Sequence, residues 1–296
     1  MVTSIFSHFN PGSVTEQDNY PILPGIEVVK MDFKTSGRIP TVCRQMNVLE
    51  INHCFSGRAE CQMQDGCFQY IGEGDLFMSA LNNYSEIIEL PLGYYSGMAV
   101  IIDIDSADKA ISELLPNIPI HIRELANRFF ADDECFFIQA KEEIRNIFSG
   151  MYTIPRSARY DYYKIKILEL LIFLHYFDPS AEKQKRTYER QQVEIVKQIQ
   201  KQITSEPEHR FTIDELARKY CISPTTLKSN FKGVYGVSIA AYMKEYRVRQ
   251  AAFLLRQTEQ SVGEIALAMG YESQSKFGAA FKEIMKITPM EYRKRR

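Results

Sequence analysis

The sequence lacks several features that would assign it to whole classes of protein. None of its apolar runs approaches the ~20 residues that a membrane-spanning helix needs, and its first residues do not join a basic segment to an apolar one as a secretory signal does. Its six cysteines include no C-x-x-C pair, which favours free thiols over disulfides or a zinc site. We therefore expect a cytoplasmic protein that does not contact a membrane.

Signatures of catalysis are missing as well. The sequence has no G-x-S-x-G elbow, no G-x-x-x-x-G-K-[ST] phosphate loop, no G-x-G-x-x-G nucleotide fingerprint and no H-x-H pair that could help to hold a metal. It also has no tryptophan, and its other aromatic residues indicate no ligand class. We therefore expect neither an enzyme nor a bound cofactor or metal.

Charge is distributed unevenly along the chain, although the net charge is only −1. Residues 186–296 contain 20 Lys and Arg against 12 Asp and Glu, a net charge of +8, whereas residues 1–185 contain 16 against 25, a net charge of −9. Such an imbalance indicates that the basic half binds a polyanion. A polar stretch at 179–192 predicts a linker between a first domain at 1–178 and a second at 193–296.

The basic half contains two similar segments about fifty residues apart, each with the pattern of two short helices joined by a tight turn. In the first segment, Thr212 and Glu215 form a capping box at the start of one helix, Ser223 and Pro224 start the next helix, and Gly236 ends it. Apolar residues at helical spacing predict one buried face on each helix. The pattern indicates a helix-turn-helix whose second helix has a polar, basic outer face.

The second segment repeats this plan with one extra residue in its turn. Ser261 caps its first helix, Gly270 ends that helix in a left-handed conformation, and Ser273 caps the next helix. Between the segments, Ile239–Gln257 has the spacing of one helix about 28 Å long at about 1.5 Å per residue. Successive major grooves on one face of B-DNA lie about 34 Å apart, so one chain could place two recognition helices in adjacent groove segments.

Four motifs mark this region. They are S-P-x-x-L-x-x-x-F-K at 223–232, R-V-x-x-A-x-x-L-L at 247–255, I-A-x-x-x-G-Y-x-S-Q-S-x-F-x-x-x-F-K at 265–282 and T-P-x-x-Y-R at 288–293. Together they resemble the AraC/XylS family of bacterial transcription regulators, and the resemblance covers about residues 190–296. It implies a sequence-specific regulator of promoter DNA, more often an activator than a repressor, which contacts RNA polymerase.

The resemblance also assigns roles to individual residues. Lysines and hydroxyls on an outer helix face can bond to phosphates or to base edges. The positions that match the family's first recognition helix are Thr225, Thr226, Lys228, Ser229 and Lys232, and those that match its second are Gln274, Ser275, Lys276, Gly278, Ala279 and Lys282. The terminal run from Tyr292 to Arg296 adds basic side chains that attract phosphates without reading sequence.

The sequence departs from the family at two of these positions. Family members often carry arginine where this chain has Ser229 and Ala279, and arginine is the residue best suited to bidentate recognition of guanine. Base readout then depends on Lys228 in the first helix and on Gln274 and Lys276 in the second. We predict that the second helix-turn-helix contributes more phosphate contact and less base specificity than the first.

The acidic half consists largely of short strand-like segments between Gly25 and Asp103, many of them alternating polar and apolar residues. Turn signals at Ser56–Gly57, Asp65–Gly66 and Gly72–Asp75 separate them. Such spacing predicts an antiparallel barrel or sandwich, and the usual companion domain in the resembling family is a cupin-like β-barrel. The predicted fold class is therefore α+β: an N-terminal cupin-like antiparallel β-barrel with helices, then an all-α domain with two helix-turn-helix motifs joined by a long helix.

Several polar residues at or beside the predicted strands are candidate contacts for a small-molecule effector, although each also fits an ordinary surface or core position. They are Arg38, Arg44, His53, Tyr70, Tyr84 and Tyr95. Two alternatives to an effector sensor stay open. One is a ligand-independent regulator controlled by its abundance or by an inhibitory partner protein, and the less favoured one is a small-molecule-binding cupin protein with a helical tail.

Helical spacing follows the strands at Asp108–Leu115, Ile122–Phe130, Glu134–Met151 and Ala158–Phe177. The last segment is apolar around most of its circumference, which indicates burial on more than one side. Helices in this place dimerise in the resembling family. We therefore expect a homodimer with Ala158–Phe177 in or near the interface.

Overall fold

The chain folds into two compact units, Met1–Tyr188 and Glu189–Arg296. The computed structural model describes residues 14–34, 39–40, 47–63, 65–80, 87–130, 135–182 and 186–295. The boundary between the units lies inside the stretch predicted as a linker, but part of that stretch is folded. Tyr188 exchanges two backbone hydrogen bonds with Phe68, at 2.8 and 2.9 Å, and a helix begins at Arg190.

The N-terminal unit is an antiparallel sheet with helices on one side. Its elements are β1 (Val14–Leu23), β2 (Ile26–Lys34), β3 (Ile39–Pro40), β4 (Val48–Gln62), β5 (Phe68–Gly72), β6 (Leu76–Ala80), β7 (Ile87–Glu89), β8 (Tyr94–Asp103), α1 (Ile104–Leu114), α2 (Ile122–Phe129), β9 (Cys135–Ile138), α3 (Glu142–Thr153) and α4 (Arg159–Tyr176). The main path of the sheet runs β1-β2-β8-β4-β6-β9, with β5 and β7 on the second half of β4 and β3 beside β7. Within the described ranges this path does not close into a barrel.

Strand β4 joins two segments that the sequence predicted as separate strands. The predicted turn at Ser56–Gly57 is wrong, because β4 continues through it with an irregularity in its pairing to β8 between Cys54 and Ser56. Gly57 has φ +90°, and a Cβ atom there would lie 2.4 Å from the Tyr94 carbonyl oxygen. The unpaired residue Phe55 forms a bulge in β4. Gly57 lets the backbone of β8 pass close beside it, so the strand continues and does not reverse.

The sheet has two buried faces. On the helix-covered face, Leu49 and Ile51 of β4 belong to a core that includes Phe148 of α3 and Ile167 of α4. The opposite side, which we call the far face, carries a second apolar cluster. It consists of residues such as Val29, Phe77, Ala99, Ile101 and Phe137. Alternation along β4 thus sends even-numbered residues from Val48 to Cys54 to the far face and the odd-numbered ones between them to the helices.

The helical predictions for this unit are partly confirmed. Helices α1, α2 and α4 overlap the predicted segments. The segment Glu134–Met151, however, was wrongly predicted as one helix. Cys135–Ile138 pairs with β6 as strand β9, and α3 starts only at Glu142. The four apolar residues of β9 form a strand because they pair with β6, which is far away in sequence. Local periodicity does not reveal such a partner.

All the regular secondary structure in the described part of the C-terminal unit is helical. Its helices are α5 (Arg190–Ser205), α6 (Ile213–Lys219), α7 (Pro224–Tyr235), α8 (Ile239–Gln257), α9 (Val262–Ala268), α10 (Gln274–Met285) and α11 (Pro289–Lys294). The predicted linking helix and the observed α8 have the same ends. The overall α+β class is confirmed, with an antiparallel sheet followed by a helical region.

Candidate nucleic-acid interface

The first pair of short helices, α6 and α7, is built by side-chain caps. The Thr212 hydroxyl accepts from the Glu215 N–H (3.2 Å), and the Glu215 carboxylate accepts from the Thr212 N–H (2.7 Å). Ser223 caps α7 by accepting from the Thr226 N–H at 3.0 Å. Each cap satisfies a backbone donor that has no partner inside its helix. The predicted capping box and N-cap are therefore confirmed.

The second pair, α9 and α10, is capped by side chains in the same way. The Ser261 hydroxyl accepts from the Glu264 N–H (3.1 Å), and the Glu264 carboxylate accepts from the Ser261 N–H (2.7 Å). Ser273 caps α10 by accepting from the Lys276 N–H at 3.2 Å. Five residues, 269–273, connect these helices, and four, 220–223, connect α6 and α7. The predicted extra residue in the second turn is thus present.

Equivalent positions in the two turns adopt a left-handed backbone conformation. Cys221 has φ 55° and Gly270 has φ 71°. A Cβ atom on Gly270 would lie 2.6 Å from the Glu208 carbonyl oxygen, whereas the first turn accepts a cysteine with a full side chain. The second turn needs glycine because another part of the backbone passes against it.

That neighbouring backbone belongs to the loop between α5 and α6. Hydrogen bonds from arginine side chains join this loop to α8 and to the second turn. Arg247 of α8 donates to the Pro207 carbonyl (2.6 Å) and to the His209 carbonyl (2.9 Å). Arg210 donates to the Gly270 carbonyl from two nitrogens, at 3.2 and 3.1 Å. Hydrogen bonds from charged donors contribute about 1.5–3 kcal/mol each. These contacts therefore help to fix the first helix pair relative to the second.

The apolar sides of both second helices are buried. Leu227, Phe231 and Val234 of α7 are fully buried, as are Phe277 and Phe281 of α10. The α10 phenylalanines belong to one core with residues of α8 and α9. Their burial leaves the opposite sides of α7 and α10 free to meet a ligand.

The five residues predicted on the outer face of α7 are not equally accessible. Thr225, Lys228 and Lys232 are exposed, whereas Thr226 and Ser229 are half-buried. The Thr226 hydroxyl also lies 2.8 Å from the Ser223 hydroxyl, so it belongs partly to the helix cap. Neither lysine has an ion-pair partner among the residues that the structure describes.

On the outer face of α10, unlike the described outer face of α7, an acidic group partly balances the positive charge. Gln274, Ser275, Lys276, Ala279 and Lys282 are exposed, and the space around Gly278 is open, since a Cβ atom there would meet nothing within 4 Å.

The Lys276 ammonium pairs with the Glu272 carboxylate, whose other oxygen lies 3.6 Å from Arg210. The hydrogen bond from Lys276 and its positive charge lower the pKa of Glu272. The outer face of α10 therefore carries an acidic group beside Lys276, whereas Lys228 and Lys232 on the outer face of α7 have no ion-pair partner in the described part of the chain.

The terminal basic run is only partly available for phosphates. Lys294 and Arg295 are exposed. Arg293 instead donates to the Gln260 carbonyl at 2.5 Å, and Arg256 lies over the Tyr292 ring at 4.6 Å. This part of the run therefore fastens α11 to α8 and to the loop after it.

Of the six residues predicted to contact an effector, the three that the structure describes do not come together. Arg38, Arg44 and Tyr84 lie outside the described residues. His53 points to the helix-covered face, where its ring stacks on Phe148 at 4.2 Å. Tyr70 packs against Tyr188 and donates to the Glu60 carboxylate at 2.7 Å. Tyr95 alone lies on the far face.

His53 is held in a largely apolar place. Its Nδ1 atom lies 3.0 Å from the Tyr152 hydroxyl, while its Nε2 atom has no hydrogen-bond partner within the described part of the chain. Burial lowers the pKa of His53 to about 4, against a smaller opposing effect of Asp75. The ring is therefore neutral near neutral pH, as the core-residue interpretation requires.

Sequence reasoning missed the polar residues of the far face. Glu50 and Ser79 are buried there, and Asn52 accepts a hydrogen bond from the Tyr95 hydroxyl at 2.6 Å. The available signal was the acidic residue inside the apolar strand segment N-V-L-E-I-N-H-C at 47–54. A charged side chain at an inward position of a strand indicates a special environment.

The described ranges contain neither a metal-binding group of side chains nor a helix suited to a membrane. No three His, Cys, Asp or Glu side chains in those ranges are grouped closely enough to hold a metal ion. No helix in them combines the length and the apolar character that crossing a membrane requires. The five cysteines within the same ranges are free thiols.

Comparison with known proteins places the similarity in the C-terminal unit. A family model described as a helix-turn-helix domain matches residues 216–295. The HTH-type transcriptional regulator MtrA of Neisseria gonorrhoeae is 38% identical over 96 residues, 32% of this chain and 32% of MtrA. The transposon Tn10 TetD protein of Escherichia coli is 33% identical over 100 residues, 34% of this chain and 72% of TetD. The match thus spans about a third of MtrA but most of TetD.

The solved structures that match along most of the chain include one of a protein bound to a fatty acid. It is ToxT from Vibrio cholerae with a bound unsaturated fatty acid, which is 13% identical and covers 93% of this chain and 96% of its own, with a TM-score of 0.39.

Proposed function

Because this chain belongs to the AraC/XylS family of transcription regulators, we propose that it binds promoter DNA by placing α7 and α10 in adjacent segments of the major groove. Each helix pair then acts as a helix-turn-helix. The observation that carries the proposal is the pairing of a buried apolar side with an exposed polar side on both helices. Helix α8, with 19 residues, is about 28 Å long and approaches the ~34 Å groove repeat.

Binding to fragmented genomic DNA of the source organism, read out by sequencing the bound pieces, tests this proposal. The expected result is a shared motif of two half-sites about one helical turn, or roughly 10 base pairs, apart. Bound fragments without a shared motif would mean that the basic unit attracts DNA only through its charge, and the proposal would fail.

The resemblance extends the proposal to activation through contact with RNA polymerase in the cytoplasm, and to a cupin-like N-terminal unit. Transcription from a promoter that carries the recovered motif, measured with purified polymerase, should rise when the full chain is added. A fall would indicate a repressor.

Dimerisation through α4 is the second part of the proposal. One side of α4 is buried in the core at Tyr163, Ile167 and Leu171. Another side exposes large apolar groups, since Ile165 is 64% and Tyr176 is 74% exposed. Covering such groups on a second copy of the chain would remove apolar surface from water.

Sedimentation at micromolar concentration tests the dimer. The wild-type chain should sediment as a dimer and Ile165→Glu as a monomer. Leu114→Glu, at an exposed leucine on α1, is the matched control and should leave the dimer intact. A monomeric wild-type chain would refute this part of the proposal.

The N-terminal unit is proposed to sense a small molecule, with ligand-independent control as the alternative. The buried polar residues of its far face favour sensing. A ligand at about 100 times its dissociation constant adds about 2.7 kcal/mol to the free energy of unfolding, so a thermal-shift screen distinguishes the two. A stabilising compound that also changes DNA affinity supports sensing, and control by abundance predicts none.

A further inference from the structure

The far face of the sheet contains a carboxyl group without a countercharge. Glu50 is only 6% exposed, and its recorded side-chain contact is a long one, from the Asn52 amide at 3.5 Å. No Lys, Arg or His in the described ranges pairs with it. Burial of an ionised carboxylate costs several kcal/mol unless it is paired and hydrogen-bonded, so an unpaired Glu50 needs a reason.

A second unsatisfied group lies directly beside it. Glu50 and Ser79 are opposite each other in the β4–β6 pairing, and side chains of opposite residues start about 4.5–5.5 Å apart on the same face. Ser79 is fully buried, and its hydroxyl oxygen has no hydrogen-bond partner within the described part of the chain. Two neighbouring buried polar groups thus lack partners on one face.

Asn52 continues the polar line along β4. It is half-buried, so the far face is reachable from solvent at this point. Its amide oxygen accepts from Tyr95 at 2.6 Å and retains a second lone pair. The neighbouring positions on β8, Ala99 and Gly97, are small, and pair with Asn52 and Cys54. We call Glu50, Asn52 and Ser79 the Glu50 cluster.

The chemistry of the cluster selects one kind of ligand group. Carboxylate, amide oxygen and hydroxyl oxygen are all acceptors, and a primary ammonium offers three N–H donors and no acceptor. Its positive charge would also supply the countercharge that Glu50 lacks. Around the cluster the far face is apolar, with Val29, Phe77 and Ile101, which suits an alkyl or aryl body. A carboxylate or phosphate ligand would instead repel Glu50.

We propose that the far face binds a small primary amine, whose ammonium group is held by the Glu50 cluster and whose apolar part packs on the surrounding side chains. This inference rests on the sensing function proposed above and names the chemical class of the effector. Glu50 supplies the charge, and Ser79 and Asn52 orient the ammonium through hydrogen bonds.

Calorimetric titration of the full-length chain with three probes of equal size tests the proposal. The probes are n-hexylammonium, n-hexanol and n-hexanoate, each at up to roughly 10 mM and about pH 8, where the amine stays protonated. We expect n-hexylammonium to bind wild type at least about tenfold more tightly than it binds Glu50→Gln. Ser79→Ala should weaken binding by a smaller factor.

Glu60→Gln is the matched control. Glu60 is a second buried carboxyl in the same unit, but it accepts from Tyr70 on another face, so its replacement should leave amine binding unchanged. Retention of the wild-type amine affinity in Glu50→Gln, or equal binding of n-hexanol and n-hexylammonium, overturns the proposal. So does the absence of amine binding to a wild-type chain that is folded by circular dichroism.

Failure of the amine class is distinguishable from failure of the sensor or of DNA binding. If n-hexanol or n-hexanoate binds while the amine does not, the unit is a sensor of another chemistry and only this inference fails. DNA affinity is measured on the same protein samples with the recovered operator. A loss of DNA binding in every sample would contradict the regulator proposal without bearing on the Glu50 cluster.

Discussion

The two units of the chain treat polar side chains in opposite ways. The N-terminal unit buries Glu50, His53, Glu60 and Ser79, whereas among the described residues of the C-terminal unit only Asn230 is a buried polar residue. The C-terminal unit instead uses carboxylates on its surface: Glu215, Glu264 and Glu291 cap helices, and Glu272 and Glu283 pair with lysines. The difference indicates that the polar groups available for function lie in the interior of the N-terminal unit and on the surface of the C-terminal unit.

The largest expected effect is a pH dependence of stability that originates in the N-terminal unit. Burial raises the pKa of Glu50 from 4.5 to about 7. As pH rises from 4.5 to 7, the unfolded chain releases a proton that the folded unit keeps, so the free energy of unfolding falls. His53 has the opposite effect, because its folded pKa is about 4 rather than 6.5. As pH falls from 6.5 to about 4, the unfolded chain gains a proton at His53 that the folded unit does not. The free energy of unfolding therefore falls toward acidic pH.

These two dependences nearly cancel in the wild-type chain, and single substitutions separate them. The free energy of unfolding of Glu50→Gln, relative to wild type, should rise by about 3 kcal/mol from mildly acidic to neutral pH. That of His53→Gln, relative to wild type, should rise by about 3 kcal/mol as pH falls to the acidic end. Urea denaturation at each pH measures both, and hydrogen exchange assigns the change to the N-terminal unit. If the free energy of unfolding of each variant differed from that of wild type by the same amount at every pH, the proposed effects of Glu50 and His53 would be wrong.

An effect of comparable size separates the two helix pairs inside the C-terminal unit. Gly270→Ala adds a Cβ atom at φ 71°, 2.6 Å from the Glu208 carbonyl oxygen, and should lower the free energy of unfolding by about 2–4 kcal/mol. At the equivalent position of the first turn, Cys221→Gly removes the left-handed strain and should change that free energy by no more than about 1 kcal/mol.

Gly278→Ala is the control for this prediction. It lies inside α10, where a Cβ atom meets nothing within 4 Å, so it should raise the free energy of unfolding by about 1 kcal/mol. Urea denaturation of the three variants gives the ranking. A Gly270→Ala chain as stable as Gly278→Ala would mean that the loop does not press on the second turn.

Binding to DNA should distinguish Lys228 from Lys276. Lys228→Ala should weaken the preference for operator over mismatched sequence by roughly tenfold, because a base contact contributes about 1–3 kcal/mol of discrimination. Lys276→Ala should cost less of this preference, while it weakens binding to matched and mismatched sequences and reduces the salt dependence by about one unit. Fluorescence anisotropy on matched and mismatched duplexes at several salt concentrations measures both. The same loss of discrimination in both variants would remove the proposed difference between the helices.

The smallest expected effect concerns the acidic partner of Lys276. Glu272→Gln removes a negative charge beside the outer face of α10 and should strengthen DNA binding a few-fold, regardless of sequence. Glu245→Gln, which breaks a comparable exposed pair with Arg249 on α8, should leave the affinity unchanged. Anisotropy titrations at low salt test the pair of variants. Weaker binding by Glu272→Gln would show that the carboxylate positions Lys276 instead of competing for it.

Sequence predicted the C-terminal unit well because its signals are local. Thr212, Ser223, Ser261 and Ser273 cap the helices that they were predicted to cap. A cap and the backbone donors that it satisfies lie within three residues of each other. Helix α8, which joins the two pairs, was likewise predicted from the helical spacing of its apolar residues alone.

The N-terminal unit was less predictable because its contacts are distant in sequence. Cys135–Ile138 becomes a strand only through its partner β6. Strand β4 runs through Ser56–Gly57 with a bulge at Phe55 instead of a turn, because β8 continues beside it. The face to which a strand residue points depends on register, which pairing and not composition decides. His53, Tyr70 and Tyr95 therefore separated onto different surfaces, and Glu50 was overlooked.

The reading of two adjacent groove segments by one chain is tested most directly by a base-by-base substitution scan of the recovered operator. Affinity of the wild-type chain is measured for every single-base variant. We expect two blocks of sensitive bases about one helical turn apart, with greater discrimination in the block that Lys228→Ala affects than in the block that Lys276→Ala affects. A single block of sensitive bases, or equal discrimination in both, would contradict it.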